Sequence, residues 1–435
     1  MDETELHGER AGRWSWLRLA VVDTRPLRRR EFRLLFLSRS VSFAGTMVTF
    51  VAIPYQVFQL TRSPVAVGLL GLVELLGLLL TALVGGALAD ARDRRAMVRA
   101  TELALAVLSA VLAVNAEADR PRVWVLFAVA AAIAALEGLQ RPSLDALLPR
   151  LVPREELTAA GALGALQNGA AMIGGPALGG LLIAAAGLPA AYAVDVASFA
   201  LALLLLWRMR AVPPPPEADR PSLRGVLDGL RYARGRPELL GTYLVDLAAM
   251  VFGMPMALFP AIAARYGGPG VLGLLYAAPS AGALLANATS GWTARVRRHG
   301  LAILVAAGVW GVGVAGFGVA GPLWLALGLL AAAGAADMVS GLFRMTIWNQ
   351  TVPDRLRGRL AGIELLSYAS GPALGNLEAG AAAALVGVRA SVVSGGLLCV
   401  AAVALLALAM PGFRTYDAGV GGRDPGACEP AQVAH

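Results

Sequence analysis

The chain has 435 residues, of which 57% are hydrophobic and only 15% charged, with a formal net charge of +8 and a mean hydropathy of +0.66. Soluble domains carry about one-quarter charged residues, and here the apolar residues fall in blocks of about 20, the length that crosses a bilayer as a helix. All 37 basic residues are Arg, and only Arg62, Arg120, Arg122, Arg265 and Arg389 lie off the alternate connectors where the rest gather, a positive-inside bias rather than a nucleic-acid patch.

In chain order, residues 1–31 form an Arg-rich cytoplasmic arm, with Arg25, Arg28, Arg29 and Arg30 just before the first span. It lacks the apolar core and cleavage site of a secretory signal. Trp14, Trp16, Leu17 and Leu19 are read as part of an ordinary arm rather than as an interfacial anchor. Twelve spans follow, at 33–59, 65–88, 97–116, 122–144, 158–186, 188–207, 239–264, 270–293, 301–320, 323–344, 358–386 and 389–410. The expected fold class is an all-α polytopic membrane protein with two six-helix halves, 32–208 and 239–411. The cytoplasmic loop 209–238, with Pro213 to Pro216 followed by Arg220, Arg224, Arg231, Arg234 and Arg236, divides them. The even count and the basic arm put both termini in the cytoplasm, and the Gly-rich tail 412–435 is expected to be disordered.

The halves repeat. Leu151-Val152-Pro153-Arg154 opens span 5 as Thr351-Val352-Pro353-Asp354 opens span 11. Gly175-Pro176-Ala177-Leu178-Gly179 recurs as Gly371-Pro372-Ala373-Leu374-Gly375, and Gly180 extends the first copy. Gly86, Asp90, Arg94 and Arg95 after span 2 have a degraded counterpart in Gly291, Arg295, Arg297 and Arg298 after span 8. Paired halves with Gly- and Pro-interrupted spans point to a transporter that binds between its repeats at the midplane.

Those motifs, with Gly71-Leu72-Val73-Glu74-Leu75, the run Arg141-Pro142-Ser143-Leu144-Asp145, Gly334-Ala335-Ala336-Asp337 and Leu356-Arg357-Gly358-Arg359, carry a resemblance. From about Phe32 to Pro411 the chain resembles major facilitator superfamily transporters, in particular the enterobactin exporter family. The Gly175–Gly180 stretch also resembles the antiporter motif of exporters. The resemblance implies helices 1, 4, 7 and 10 around a central cavity, helices 2, 5, 8 and 11 at its sides, and helices 3, 6, 9 and 12 at the periphery. It further implies a cytoplasmic gate in which Asp90 meets the start of helix 11 near Gly358 and Arg94 reaches Asp145.

An acid inside a bilayer costs about 2.5–3.5 kcal/mol on insertion scales, so it normally faces a cavity or a partner. By the implied placement, Glu74, Glu137, Asp246, Asp337 and Glu364 are candidates for substrate contact or proton coupling, against the alternative of helix-to-helix hydrogen bonding. Asp195 on helix 6 is read as a structural hydrogen-bonding group. Arg39, Arg141 and Arg344 lie near span ends, where snorkelling to the headgroups is the plain reading, favoured for Arg39.

Gly311-Val312-Gly313-Val314-Ala315-Gly316 matches a dinucleotide fingerprint in letters only; inside an apolar run with no preceding strand, close helix packing explains it. With no Lys there is no phosphate-binding P-loop, so ATP drive is not expected. The three His lie outside the apolar runs with no metal spacing, and no catalytic constellation or cofactor motif occurs. The expected activity is proton-coupled export of a siderophore-like or other amphipathic small molecule across the cell membrane, with protons and the lipid bilayer as partners and no nucleic acid. A multidrug or antibiotic exporter, an importer, and a non-transporting receptor or assembly factor remain alternatives.

Overall fold

A computed structural model describes residues 23–91, 93–210 and 235–417, with side chains undescribed at 82–91, 145–146 and 354–367. The described residues are helical apart from short turns and one isolated bridge between Arg298 and Asp417. Helices are the natural outcome: a helix satisfies its own backbone polar groups, which lipid cannot.

The helices are α1 (Arg30–Thr61), α2 (Pro64–Ala91), α3 (Arg94–Glu117) and α4 (Val123–Leu151), then a segment Leu157–Trp207 broken at Gly187. Its arms are α5 (157–186) and α6 (188–207). The second series is α7 (Pro237–Tyr266), α8 (Pro269–Ala288), α9 (His299–Val319), α10 (Leu323–Thr351), α11 (Asp354–Val386) and α12 (Val388–Ala409), with a last turn α13 (Pro411–Arg414). Among the described residues, ten helical segments are long and apolar enough to cross a membrane. One of these holds both α5 and α6, and α11 brings the total to the expected twelve.

The breaks have local causes. Gly187 (φ 81) separates α5 from α6, and Gly387 (φ 87) separates α11 from α12, the same joint in each series. Both glycines occupy a region that side chains with a Cβ avoid. Asp93 caps α3, its carboxylate accepting from the Arg95 backbone N–H at 3.0 Å. Span 7 departs from the continuous helix expected: α7 unwinds after Gly253 and resumes as a 3₁₀ turn at Met256. Pro255 has no N–H to give to the helix, and Asn376 of α11 accepts the freed Ala257 N–H at 2.9 Å.

Packing groups α1–α6 together and α7–α12 together. α3, α6, α9 and α12 turn apolar stripes outward, such as Leu103, Val107, Val111 and Val114 on α3 and Val305, Val309 and Val312 on α9. These are lipid-facing surfaces, as the peripheral placement requires. Trp124 and Trp324, each second in its helix (α4 and α10), are exposed at the end away from the Arg-rich connectors, where an interfacial aromatic belt belongs.

The repeated Gly-Pro motifs perform the same packing in both groups. A Cβ on Gly179 would reach Val48 Cα of α1 at 3.0 Å, and one on Gly371 would reach Met250 Cβ of α7 at 2.8 Å. Gly175 packs likewise on Met47 and Gly375 on Met250. Small residues let these backbones approach closely. Gly311 packs on Gly396 and Cys399 of α12, and Gly313 on Ala333 of α10, which accounts for the glycine run of α9.

The two groups meet chiefly through α2 with α11 and α5 with α8. A Cβ on Gly180 would stand 2.8 Å from Gly273 Cα, and one on Gly380 2.6 Å from Pro64 O. Both contacts lie at the end opposite the Arg-rich connectors. Along α5 toward the Arg-rich end, Gly169 meets only the tip of Leu284, at 3.6 Å, and Gly164 and Gly161 meet nothing within 4 Å among the described residues. Among the described glycines, the tightest approaches between the groups therefore lie at the end opposite the Arg-rich connectors.

Candidate functional site

Helices α4 and α10 occupy equivalent places in the two groups. Each of these helices packs on neighbours of its own group and leaves one face uncovered. Glu137 on α4 is exposed, and the Asp337 side chain on α10 keeps 41% of its surface accessible. An acid facing lipid is costly, so faces that leave these acids accessible suit a polar space between the helix groups. Glu74 on α2 is half-buried and lies within electrostatic reach of Glu137 and of Tyr276 on α8.

Aromatic side chains close the far end of this space. Tyr276 meets Phe50 of α1 edge-on at 5.2 Å and Phe259 of α7 at 5.1 Å, so one ring cluster joins both helix groups. Together with the Gly180–Gly273 contact it closes the end away from the Arg-rich connectors.

In the second group, Arg344 of α10 turns inward. Its guanidinium pairs with Asp246 of α7, and its Nη2 lies 3.5 Å from Asp337 Oδ1, two turns earlier on its own helix. With 21% of its side chain accessible, Arg344 ties α7 to α10 rather than snorkelling outward. Asp246, at 14%, is thus an ion-pair partner, and Asp337 is the more accessible of the two acids. In the first group Arg141 occupies the corresponding end of α4, one turn beyond Glu137.

At the loop between α2 and α3, Arg94 is 7% exposed at the first position of α3. Arg95 donates to Leu206 O at 3.1 Å and Trp207 O at 2.9 Å, capping the C-terminus of α6. The side chains of Gly86, Asp90, Asp145 and Glu364 lie outside the described residues, and so do the contacts expected of them. Arg95 therefore serves α6, a role that its place in the Arg cluster did not indicate.

Two further acids sit inside the first group. Asp195 of α6 is 1% exposed; Thr49 and Ser109 donate to its Oδ2 at 2.6 and 2.7 Å, and Ser198 to its Oδ1 at 3.4 Å. Glu102 of α3, 4% exposed, is not among the intramembrane acids singled out from the sequence. A signal was present: the lipid-facing residues 103, 107, 111 and 114 lie on one side of α3, which leaves Glu102 and Ser109, seven apart, on the other.

The transmembrane secretion effector family matches residues 22–421 of the chain. The chain belongs to the major facilitator superfamily. It is a multi-pass membrane transporter rather than an enzyme. The enterobactin exporter EntS of Citrobacter koseri is 30% identical over 402 residues, covering 91% of this chain and 95% of that protein. A bacterial homologue of the iron transporter ferroportin, solved in an inward-facing state, superposes with a TM-score of 0.68 at 17% identity, covering 89% of this chain and 99% of that one. A bacterial homologue of the human lysosomal transporter Spinster, inward-facing and unoccupied, gives 0.66 at 15% identity, covering 90% and 97%. At those identities the two structures share the superfamily fold with this chain and nothing finer. Helix groups closed on one side by ring and glycine contacts suit one state of such a transporter.

Proposed function

We propose that this protein is a proton-driven exporter of a siderophore-like or other amphipathic small molecule, working by alternating access in the cell membrane with both termini in the cytoplasm. The observation that carries the reading is a pair of helix groups packed most tightly at the far end, with an accessible acid on each of the equivalent helices α4 and α10, which suits a cavity between them. Rocking of 32–208 against 239–411 would close the Arg-rich end and open the far one. The similarity to enterobactin exporters supports the direction and the substrate class. Entry of one proton through 100 mV supplies about 2.3 kcal/mol.

Glu137, Asp337 and Glu74 are the foremost coupling candidates, with Glu364 on α11 a further one. Asp246 serves them through Arg344. Gly86, Asp90, Arg94 and Asp145 form the proposed gate that holds the Arg-rich end shut in the opposite state. An acid at the start of α11's dipole and a charge pair at a half-wet rim are suited to that task.

The test uses purified protein in liposomes, enterobactin as the probe and an imposed pH gradient. Wild type is expected to concentrate enterobactin at the gradient's expense. At least one of Glu137→Gln, Asp337→Asn and Glu74→Gln is expected to exchange it by counterflow yet fail to concentrate it. Uphill movement by all three variants with the wild-type pH dependence would remove these acids from coupling. Lipophilic drugs moved in place of enterobactin would favour the multidrug alternative.

A further inference from the structure

Glu102 lies outside the cavity described above, in the heart of α1–α6. Its Oε1 accepts from Gln140 Nε2 of α4 at 3.0 Å and from Ser42 Oγ of α1 at 3.4 Å. Its Oε2 is buried and meets no hydrogen-bond partner among the described residues. Asp195, one bundle layer deeper, is the contrast: both its oxygens are bonded, by three hydroxyls. A carboxylate accepting several donors is at ease ionised, whereas a buried carboxylate oxygen without a donor is costly. Two acids in one bundle with such different surroundings suit opposite protonation states.

The residues around them form a seam. Ser42, Thr49 and Gln56 are spaced by seven along α1, and each is buried. They meet in turn Glu102, Asp195 and the Tyr192 hydroxyl, which donates to Gln56 at 2.8 Å. Ser109, seven residues after Glu102 on α3, joins the middle layer. A chain of polar layers thus runs inside an apolar bundle, and its layer nearest the Arg-rich end holds the one carboxyl group of the seam that is left half-bonded. Gln140, which holds that carboxyl, stands one turn from the cavity-facing Glu137 on α4. The charged groups acting on Glu102 are Arg39 of α1 and Asp195 of α6, while α4 presents the neutral Gln140.

We propose that Glu102 is a proton-carrying group of the transport cycle, a neutral acid held by Ser42 and Gln140 when the cavity is open at the Arg-rich end. It releases that proton when movement of α4 opens this layer and brings to the carboxyl water that solvates the ionised form. The proton moves as H⁺ from Glu102 Oε2 to water and returns by the same route, so no other reactant is needed. Its use in coupling rests on the proton-antiport reading above; its protonation does not.

The experiment has two arms. Infrared difference spectra of wild type minus Glu102→Gln, in lipid at neutral pH, read the C=O stretch of a protonated carboxyl that shifts in D₂O. The band is expected, and its absence would overturn the proposal whatever the substrate is. In the liposome assay with enterobactin, Glu102→Gln is expected to lose at least tenfold in uphill accumulation. Gln140→Leu, which removes a donor to the ionised form, is expected to displace the pH profile of accumulation toward higher pH, an effect that a packing role would not produce. Gradient-driven accumulation by Glu102→Gln with the wild-type pH profile would overturn the coupling role while leaving antiport standing. A wild type indifferent to the pH gradient would instead overturn the antiport reading, and the infrared arm would still decide whether Glu102 holds a proton.

Discussion

Gly180 offers a direct test of whether the described state owes its closed end to contact between α5 and α8. A Cβ placed there would stand 2.7 Å from the backbone N of Gly273 and 2.8 Å from its Cα. That is about 0.7 Å short of ordinary contact, and the obstacle is backbone that cannot rotate away. Gly180→Ala must therefore push α8 outward. Overpacking of this kind costs about 1–3 kcal/mol. The gain in helix propensity from Ala, about 1 kcal/mol, acts in both states and cancels. The penalty falls only on the state in which the two helices touch, so the balance should move toward the opposite state by about 5- to 150-fold. Spin labels at Leu166 and Leu285, both exposed on α5 and α8 toward the Arg-rich end, would read this by double electron–electron resonance in a background free of Cys399 and Cys428. Wild type should populate a long distance, and Gly180→Ala a shorter one at its expense. An unchanged distribution would refute the idea that this contact sets the state.

Topology can be checked with single cysteines in the same background: Arg295→Cys and Arg297→Cys should be protected from an impermeant thiol reagent added outside cells, and Arg62→Cys and Arg265→Cys labelled, the reverse pattern sinking the proposed orientation. Arg344→Gln leaves Asp246 and Asp337 without their shared cation; for a pair neither buried nor freely exposed it should cost ~2 kcal/mol, read as a lowered thermal midpoint in detergent and partly restored by Asp246→Asn in the same chain. Asp195→Ala strands the Thr49 and Ser109 hydroxyls inside the bundle and should cost about 1–3 kcal/mol by the same measurement, with Asp195→Asn milder. At the proposed gate, losses in transport from Arg94→Ala and Asp145→Ala should fall short of additive when combined; strict additivity would mean the two side chains do not act together.

The alternating-access reading and the placement of the acids draw on one physical point. Helices packed through glycine have their backbones already in contact, so a change at such a contact cannot be absorbed by side-chain rearrangement. At Gly180–Gly273 and Gly380–Pro64 the far end is closed by such contacts. Glu137 and Asp337 lie farther from that end, midway along α4 and α10.

Much of this was legible in the order of residues alone. The twelve spans follow from blocks of apolar residues, since a helix that crosses lipid must be apolar along its whole length. The joints at Gly187 and Gly387 and the duplicated Gly-Pro motifs were readable because backbone demands of that kind admit few residue types. The break in α7 escaped notice, since Pro255 is tolerated in some membrane helices and its effect depends on Asn376, more than a hundred residues away. The acids were less legible. Position along a span tells how deep an acid lies, but not which way it faces. Asp246 and Asp337 looked equivalent until Arg344 was seen to turn inward and engage Asp246 more closely. Glu102 was not singled out at all, although α3 has an inner face as well as the outer one that its exposed residues mark. Which end of the molecule is closed is decided by contacts between residues such as Gly180 and Gly273 that no local pattern relates, and only the folded chain brings them together.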